Sequence, residues 1–243
     1  MEEPRYDASS YWSDRLTSHF TLRGTGHLGY SERYNAWLYR AKQRALRRAL
    51  NDIPRSADAL DVGSGVGWVV EQLRSRGHRV DGCDISEMAV SRLAEHYPDS
   101  AFFVVTLGVT PVPREAGSYD LVTAMDVAYH VTDDEQWTAA LTELARVLRP
   151  GGHLIVTDRF GDTVREPAPH VRFRTLDMWR EHGHRVGLEL LDRGVLYRWL
   201  SRDRDTTKLA RLPDGVHGAL AYALDRTTWR EPHLQWARFR RSG

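Results

Sequence analysis

Leu60-Asp-Val-Gly-Ser-Gly-Val-Gly-Trp68 is the stretch on which the reading of this chain turns. A short apolar run, Ala57–Val62, gives way to glycines at 63 and 65 and then to a helical stretch, Val66–Arg76, closed by Gly77. Glycines directly after a strand let the backbone turn tightly and approach a ligand with no Cβ in the way. The helix start beyond them presents free N–H groups. A dinucleotide fingerprint would put its third glycine at position 68, which is Trp68, and an apolar residue where this chain has Asp61. A carboxylate there repels a pyrophosphate but suits an ammonium. The predicted ligand carries an amino-acid end, with one cationic and one carboxylate group.

Outward from the glycines, strands and helices alternate. Arg79–Asp84 reads as a second strand, and Asp84 falls about 20 residues beyond the first glycine, where an acid grips a ribose diol. Ser86 caps a helix that runs to Tyr97. Phe102–Leu107 and Tyr119–Met125 read as strands three and four. Thr132-Asp-Asp-Glu135 is a capping-box pattern before a helix Glu135–Leu148, and Pro150-Gly-Gly152 turns the chain into strand five, His153–Asp158. Such alternation predicts a doubly wound, mostly parallel α/β sheet that binds its ligand outside the carboxyl ends of the strands. Upstream, Ser31 caps a helix whose apolar residues (Trp37, Leu38, Ala41, Ala45, Leu46, Ala49, Leu50) recur at helical spacing until Pro54. Before it lies a glycine-rich stretch, Gly24–Gly29, flanked by Tyr11, Trp12, Phe20 and Tyr30.

Composition narrows the function. The 243 residues carry a net charge of +1 and are 41% hydrophobic, enough for a sizeable core and with no global pull toward nucleic acid. Lys42 and Lys208 are the only lysines among 34 basic residues. Cys83 is the single cysteine, which excludes an internal disulfide and suits a reducing cytoplasm. No apolar run is long enough to span a bilayer and no signal core opens the chain. The eleven histidines show no metal-ligand spacing, so no metal is expected.

Asp61–Gly67, Asp84-Ile-Ser86, Ser118-Tyr-Asp-Leu-Val122 with Met125–Val131, and Leu148-Arg-Pro-Gly-Gly-His-Leu-Ile-Val-Thr-Asp158 resemble the successive motifs of class I S-adenosylmethionine-dependent methyltransferases, closest to the small-molecule enzymes of types 11 and 12. The resemblance implies a Rossmann-like sheet of seven strands, the sixth and the antiparallel seventh being His184–Leu191 and His233–Arg240. It divides the chain into an N-terminal helical lid (1–52), a cofactor-binding core (53–192), a helical insertion roofing the acceptor (193–231) and a final strand (232–243). It implies S-adenosylmethionine held by Trp12, Asp61, Gly63, Gly65, Asp84, Ile85, Leu107, Met125 and Asp126. The chain departs from the pattern after strand three, where Thr106-Leu-Gly108 lacks the acid that meets adenine in many relatives.

The implied function is O-methylation of a small metabolite such as a sugar or a natural-product hydroxyl or carboxylate, by a cytoplasmic monomer or homodimer with no nucleic-acid or membrane partner. A peptide or other macromolecule as acceptor, or a cofactor-binding protein with non-methylating chemistry, are the alternatives. His130 and Asp158 resemble the positions that contact the reacting hydroxyl, with His170 a third candidate base and Asp158 expected to orient His130. An unperturbed histidine would become neutral through pH ~6–7. Arg172 and Arg174 are candidates to hold an acidic acceptor, and Tyr30 and Tyr197 to line the acceptor pocket. The competing expectation is a carboxylate acceptor that needs no base, with His130 merely bonded to a backbone carbonyl.

Overall fold

The computed structural model describes residues 6–201, 208–227 and 230–243. Five strands, β1 (Asp58–Val62), β2 (Arg79–Asp84), β3 (Phe102–Val104), β4 (Tyr119–Ala124) and β5 (Leu148–Asp158), run parallel. A separate hairpin follows, β6 (Arg165–Ala168) and β7 (Val171–Phe173), and then β8 (Leu188–Tyr197) and β9 (Leu234–Arg241) complete the main sheet, β9 running antiparallel to both β5 and β8. The order is β3-β2-β1-β4-β5-β9-β8, with the strand order reversing between β1 and β4. That is the Rossmann-like arrangement expected.

Alternation along the strands sorts the core. Leu60 and Val62 of β1 pack with Val122, Leu154 and Val156 against α6 (Asp134–Val147) and α7 (Leu176–Arg185), through Trp137, Leu141 and Trp179. Ala59, Leu121 and Ile155 face the opposite way, against Ala45, Leu46 and Ala49 of α3 (Glu32–Ala49) and Val70 and Leu73 of α4 (Trp68–Arg74). Each such fully buried leucine stabilises the fold by about 1.5–3 kcal/mol. Asp61 shares the parity of Ala59, so a carboxylate enters this second face next to the glycine turn.

Several boundaries move. Within residues 6–52, α3 is a core helix that also packs on α8 (Asp214–Leu224), and α1 (Ala8–Ser18) and α2 (Leu22–Thr25) precede it. His184 belongs to α7, which Thr175 caps and Gly187 at φ +75° ends, so the sixth strand starts four residues later, at Leu188. That strand continues to Tyr197, inside the predicted insertion. Asp133, not Thr132, caps α6 by accepting from the Gln136 N–H at 2.8 Å. His170 lies in the β6–β7 turn, a hairpin hidden from a periodicity reading by its short strands.

Gly63 and Gly77 both sit at positive φ, but only Gly63 is crowded: a Cβ there would come within 2.3 Å of Val127 Cγ2, whereas nothing lies within 4 Å at Gly77. Alanine at either site meets the left-handed cost of about 1–2 kcal/mol, and at Gly63 overpacking adds about 1–3 kcal/mol. Urea unfolding should therefore rank Gly63→Ala clearly below Gly77→Ala. Equal midpoints would mean the turn after β1 has slack.

Candidate active site

The turn after β1 is built on one side chain. Asp84, at the end of β2, accepts the Gly65 N–H at 2.8 Å on one oxygen and the Ser86 N–H at 2.9 Å on the other. Burial raises its pKa, while these two donors oppose the rise. Each oxygen keeps a further lone pair. Gly63 and Ser64 donate to the Cys83 carbonyl, binding the same turn to β2. Asp61 lies beneath this turn: its Oδ1 accepts from Thr123 at 2.7 Å, and its buried Oδ2 has no hydrogen-bond partner among the described residues. Desolvation pushes its carboxyl up to about 7.

A cavity of about 410 Å³ opens at the carboxyl ends of the strands, within the size range of small-ligand pockets. Gly63, Gly65, Asp84 and Ile85 line one side, and Leu107, Val131, Thr132, Asp133 and Gln136 another. Met125, Asp126 and His130 line the edge beyond β4, and Tyr6, Trp12 and Leu16 cover it from the N-terminal segment. Asp61 itself stands one residue behind this wall, before Val62 and Gly63. The corner that lacks an acid after β3 is thus walled by the start of α6.

Lys42 also lines the cavity, and sequence reasoning gave it no role. It projects from the buried face of α3 onto Asp126 at 2.6 Å and over the Tyr39 ring at 4.2 Å. Burial works against its charge, but Asp126 and Tyr39 outweigh it and raise its pKa. For Asp126 burial is likewise outweighed, mainly by Lys42, and its carboxyl is held low. Asp126 stands at φ +59°, a conformation rare outside glycine, fixed by Thr157, whose hydroxyl accepts the Asp126 N–H at 2.7 Å and donates to Oδ1 at 3.1 Å. The signal was present: Lys42 falls among Leu38, Ala41, Ala45 and Leu46, and a lysine on an apolar face needs a partner.

His130 ends a 3₁₀ turn, Ala128–His130, after β4. Its Nδ1 lies 2.6 Å from the His170 carbonyl. A carbonyl only accepts, so Nδ1 carries the proton and Nε2 keeps a lone pair. Trp12 meets the ring edge-on at 4.9 Å. Burial depresses the His130 pKa to about 4, so the expected change of charge through pH ~6–7 is corrected: the ring is neutral across that range.

Other expectations are corrected too. Asp158 does not orient His130. It is fully buried and accepts from Trp179 Nε1 at 2.8 Å, Arg159 N at 2.6 Å and Arg174 N at 3.4 Å. The His170 carbonyl does that work instead, and the His170 ring stacks on Tyr11 rather than lining the cavity. Arg174 is buried over Trp137, donating to the Val131 and Asp133 carbonyls and pairing with Asp134 at 2.9 Å. Arg172 is held by Asp134 and Glu166. Among the described residues lining the cavity, neither arginine appears, nor do Tyr30, packed with His27 and Tyr34, or Tyr197, packed with His233. The arginines clamp the hairpin to the start of α6, an outcome their spacing in the sequence does not disclose. Among the described residues no group of His, Cys, Asp and Glu is arranged to hold a metal, and no helix is long and apolar enough to cross a membrane.

Residues 60–156 match the methyltransferase domain family. A ubiquinone biosynthesis O-methyltransferase of Marinobacter nauticus is 35% identical over 104 residues, 41% of this chain and 42% of that protein. The chain thus spans about two fifths of that relative's length. A malonyl-[acyl-carrier protein] O-methyltransferase of Erwinia billingiae is 29% identical over 198 residues, 75% of each chain. The 1,6-didemethyltoxoflavin-N1-methyltransferase of Burkholderia thailandensis, solved with its substrate and S-adenosylhomocysteine, shares the fold at a TM-score of 0.58 and 16% identity, over 100% of this chain and 94% of that one. Residues 60–156, within the α/β core, thus match the S-adenosylmethionine-dependent methyltransferases.

If the arginines are structural, their variants will show it in stability. Asp134→Ala removes a half-exposed counter-charge from the buried Arg174 guanidinium and should cost between the ~1 kcal/mol of an exposed pair and the ~3 kcal/mol of a buried one. Arg172→Ala, at the surface, should cost no more than ~1 kcal/mol and leave the KM of any acceptor unchanged. A sharply raised KM in Arg172→Ala would return it to the acceptor site.

Proposed function

We propose that this protein transfers a methyl group from S-adenosylmethionine to a hydroxyl of a small metabolite, a sugar or a natural product, with His130 taking the hydroxyl proton. The observation that carries this reading is the neutral His130 on the wall of the same cavity as Asp84, its Nδ1–H engaged and its Nε2 lone pair available.

The residues present fit the cofactor. Asp84 has lone pairs left to accept from both hydroxyls of a ribose, and such charge-assisted bonds contribute about 1.5–3 kcal/mol each. Lys42 supplies a cation for the amino-acid carboxylate. The unpartnered Oδ2 of Asp61 supplies an acceptor beneath the turn where an ammonium would sit, and such a cation would favour its charged form. Ile85, Leu107 and Met125 offer apolar surface. When bound, the cofactor supplies a methyl group already activated on a sulfonium. What remains for the protein is alignment and exclusion of water, and Tyr6, Trp12 and Leu16 closing over the cavity serve both.

His130 accepts the acceptor proton at Nε2 as the new oxygen–carbon bond forms. A carboxylate acceptor would want a cation in the cavity besides Lys42, and the two arginines that the sequence offers for it are not among the described residues lining it. That supports a neutral hydroxyl acceptor, and the covered cavity supports a small one over a peptide.

The test is turnover against pH, read as a 14-dalton gain (the mass of a CH₂ unit) on hydroxylated metabolites. With cofactor saturating, so that Asp61 is occupied, the wild-type kcat should show no histidine step from pH 6 to 8, since the depressed His130 is neutral throughout. His130→Gln should lower kcat by ~10²-fold or more with cofactor affinity unchanged. Near-normal turnover in that variant would remove His130 from the reaction.

A further inference from the structure

The hairpin turn that holds His130 is itself held by the N-terminal helix. β6 and β7 form a two-stranded sheet apart from the main one, and an isolated pair of strands is marginal in water. His170 in its turn is gripped from outside by Tyr11, whose ring stacks on it at 4.9 Å and 24°. The His170 ring in turn stacks on His130 at 5.7 Å and 14°. Tyr11 is fixed by Arg15, which donates to its hydroxyl at 2.9 Å and to the Gly24 and Gly26 carbonyls at 2.6 and 2.8 Å. These contacts run in one series: Gly24 and Gly26, Arg15, Tyr11, His170, His130.

We propose that Tyr11 is a positioning residue: by clamping the His170 turn it keeps the carbonyl on the Nδ1–H of His130, so that Nε2 is the acceptor only when α1 is closed over the cavity. The inference rests on the reading of His130 as the base. It assigns the N-terminal segment a second task besides excluding water. With α1 lifted, the turn loses its grip, the imidazole loses its partner and its cover, and either nitrogen can carry the proton. Base and cover then assemble in one event, and no hydroxyl is deprotonated in an open site.

The charges around the pair agree with this arrangement. Burial is the main influence on both histidines and Arg15 lowers both, while at His130 the bond to the His170 carbonyl and the charge of Asp126 favour the charged form and the His170 ring opposes it. Removing the clamp exposes His130 and should move it toward the ordinary histidine value of ~6.5.

The test is nitrogen NMR of ¹⁵N-histidine-labelled full-length protein, with kcat and KM measured alongside. The wild type should show His130 as the Nδ1–H tautomer. In Tyr11→Ala that tautomer should give way to a mixture or to Nε2–H, its titration should move upward, and kcat should fall ~10-fold, part of the ~10²–10⁴ a placed base supplies. The cofactor KM should change far less, since Tyr11 is not among the described residues lining the cavity. Tyr11→Phe keeps the stacked ring and loses only the Arg15 hydroxyl bond, so it should retain more of the Nδ1–H tautomer and of the turnover than Tyr11→Ala. Arg15→Met tests the same series one link earlier should Tyr11→Ala fold poorly, and should also release the tautomer. An unchanged Nδ1–H tautomer and titration in folded Tyr11→Ala or Arg15→Met overturns the proposal. The base reading fails separately: a released tautomer with undiminished kcat would leave the clamp in place and remove His130 as base.

Discussion

Because Asp84 accepts the Gly65 N–H on one oxygen and the Ser86 N–H on the other, the turn after β1 and the start of α5 (Glu87–His96) converge on one buried carboxylate. Much of the cavity follows from that. A buried carboxylate without such donors would be expensive to keep ionised; with them it fixes the turn and retains acceptor capacity toward the cavity. Gly63 must lack a Cβ because Val127 closes on it, and Gly65 because Thr25 Cγ2 would stand 2.7 Å from one. Thr25 belongs to α2, so the N-terminal segment is seated against the cofactor turn itself.

The second constraint is the pair Lys42–Asp126, which ties α3 to the carboxyl end of β4. It holds a cation at a cavity that otherwise carries Asp7, Asp84, Asp126 and Asp133 among its described lining. Buried pairs are weak evidence for stability. A strained Asp126 backbone and a lysine facing a ligand cavity are what a binding site requires and a core does not.

Much of this was legible in the chain. The glycine turn, Asp84, the caps at Ser31 and Ser86 and the β-α alternation are local in sequence, because each depends on backbone conformation or on a neighbour a few residues away. The illegible parts depend on partners far along the chain. Arg172 and Arg174 looked available because Asp134, 38 and 40 residues earlier, is brought to them only by the hairpin. Asp158 ends its strand as expected, yet Trp179 and two backbone N–H groups had already engaged it. Lys42 was visible as a charge on an apolar helical face, but its partner Asp126 lies on another element. The His130–carbonyl bond was foreseen only as a competing possibility, and it proved to define the proton's place on the ring rather than to remove the histidine from the site.

The central claim is that the cavity beneath residues 6–26 takes a nucleoside with an amino-acid tail and not a pyrophosphate. Thermal unfolding with S-adenosylhomocysteine and, separately, with NAD tests it most directly. A ligand at a hundredfold excess over its Kd stabilises by about 2.7 kcal/mol, which at about 2–4 °C per kcal/mol is a rise in Tm of roughly 5–10 °C. S-adenosylhomocysteine should produce that rise and NAD should leave Tm where it was; a larger rise with NAD would contradict the account.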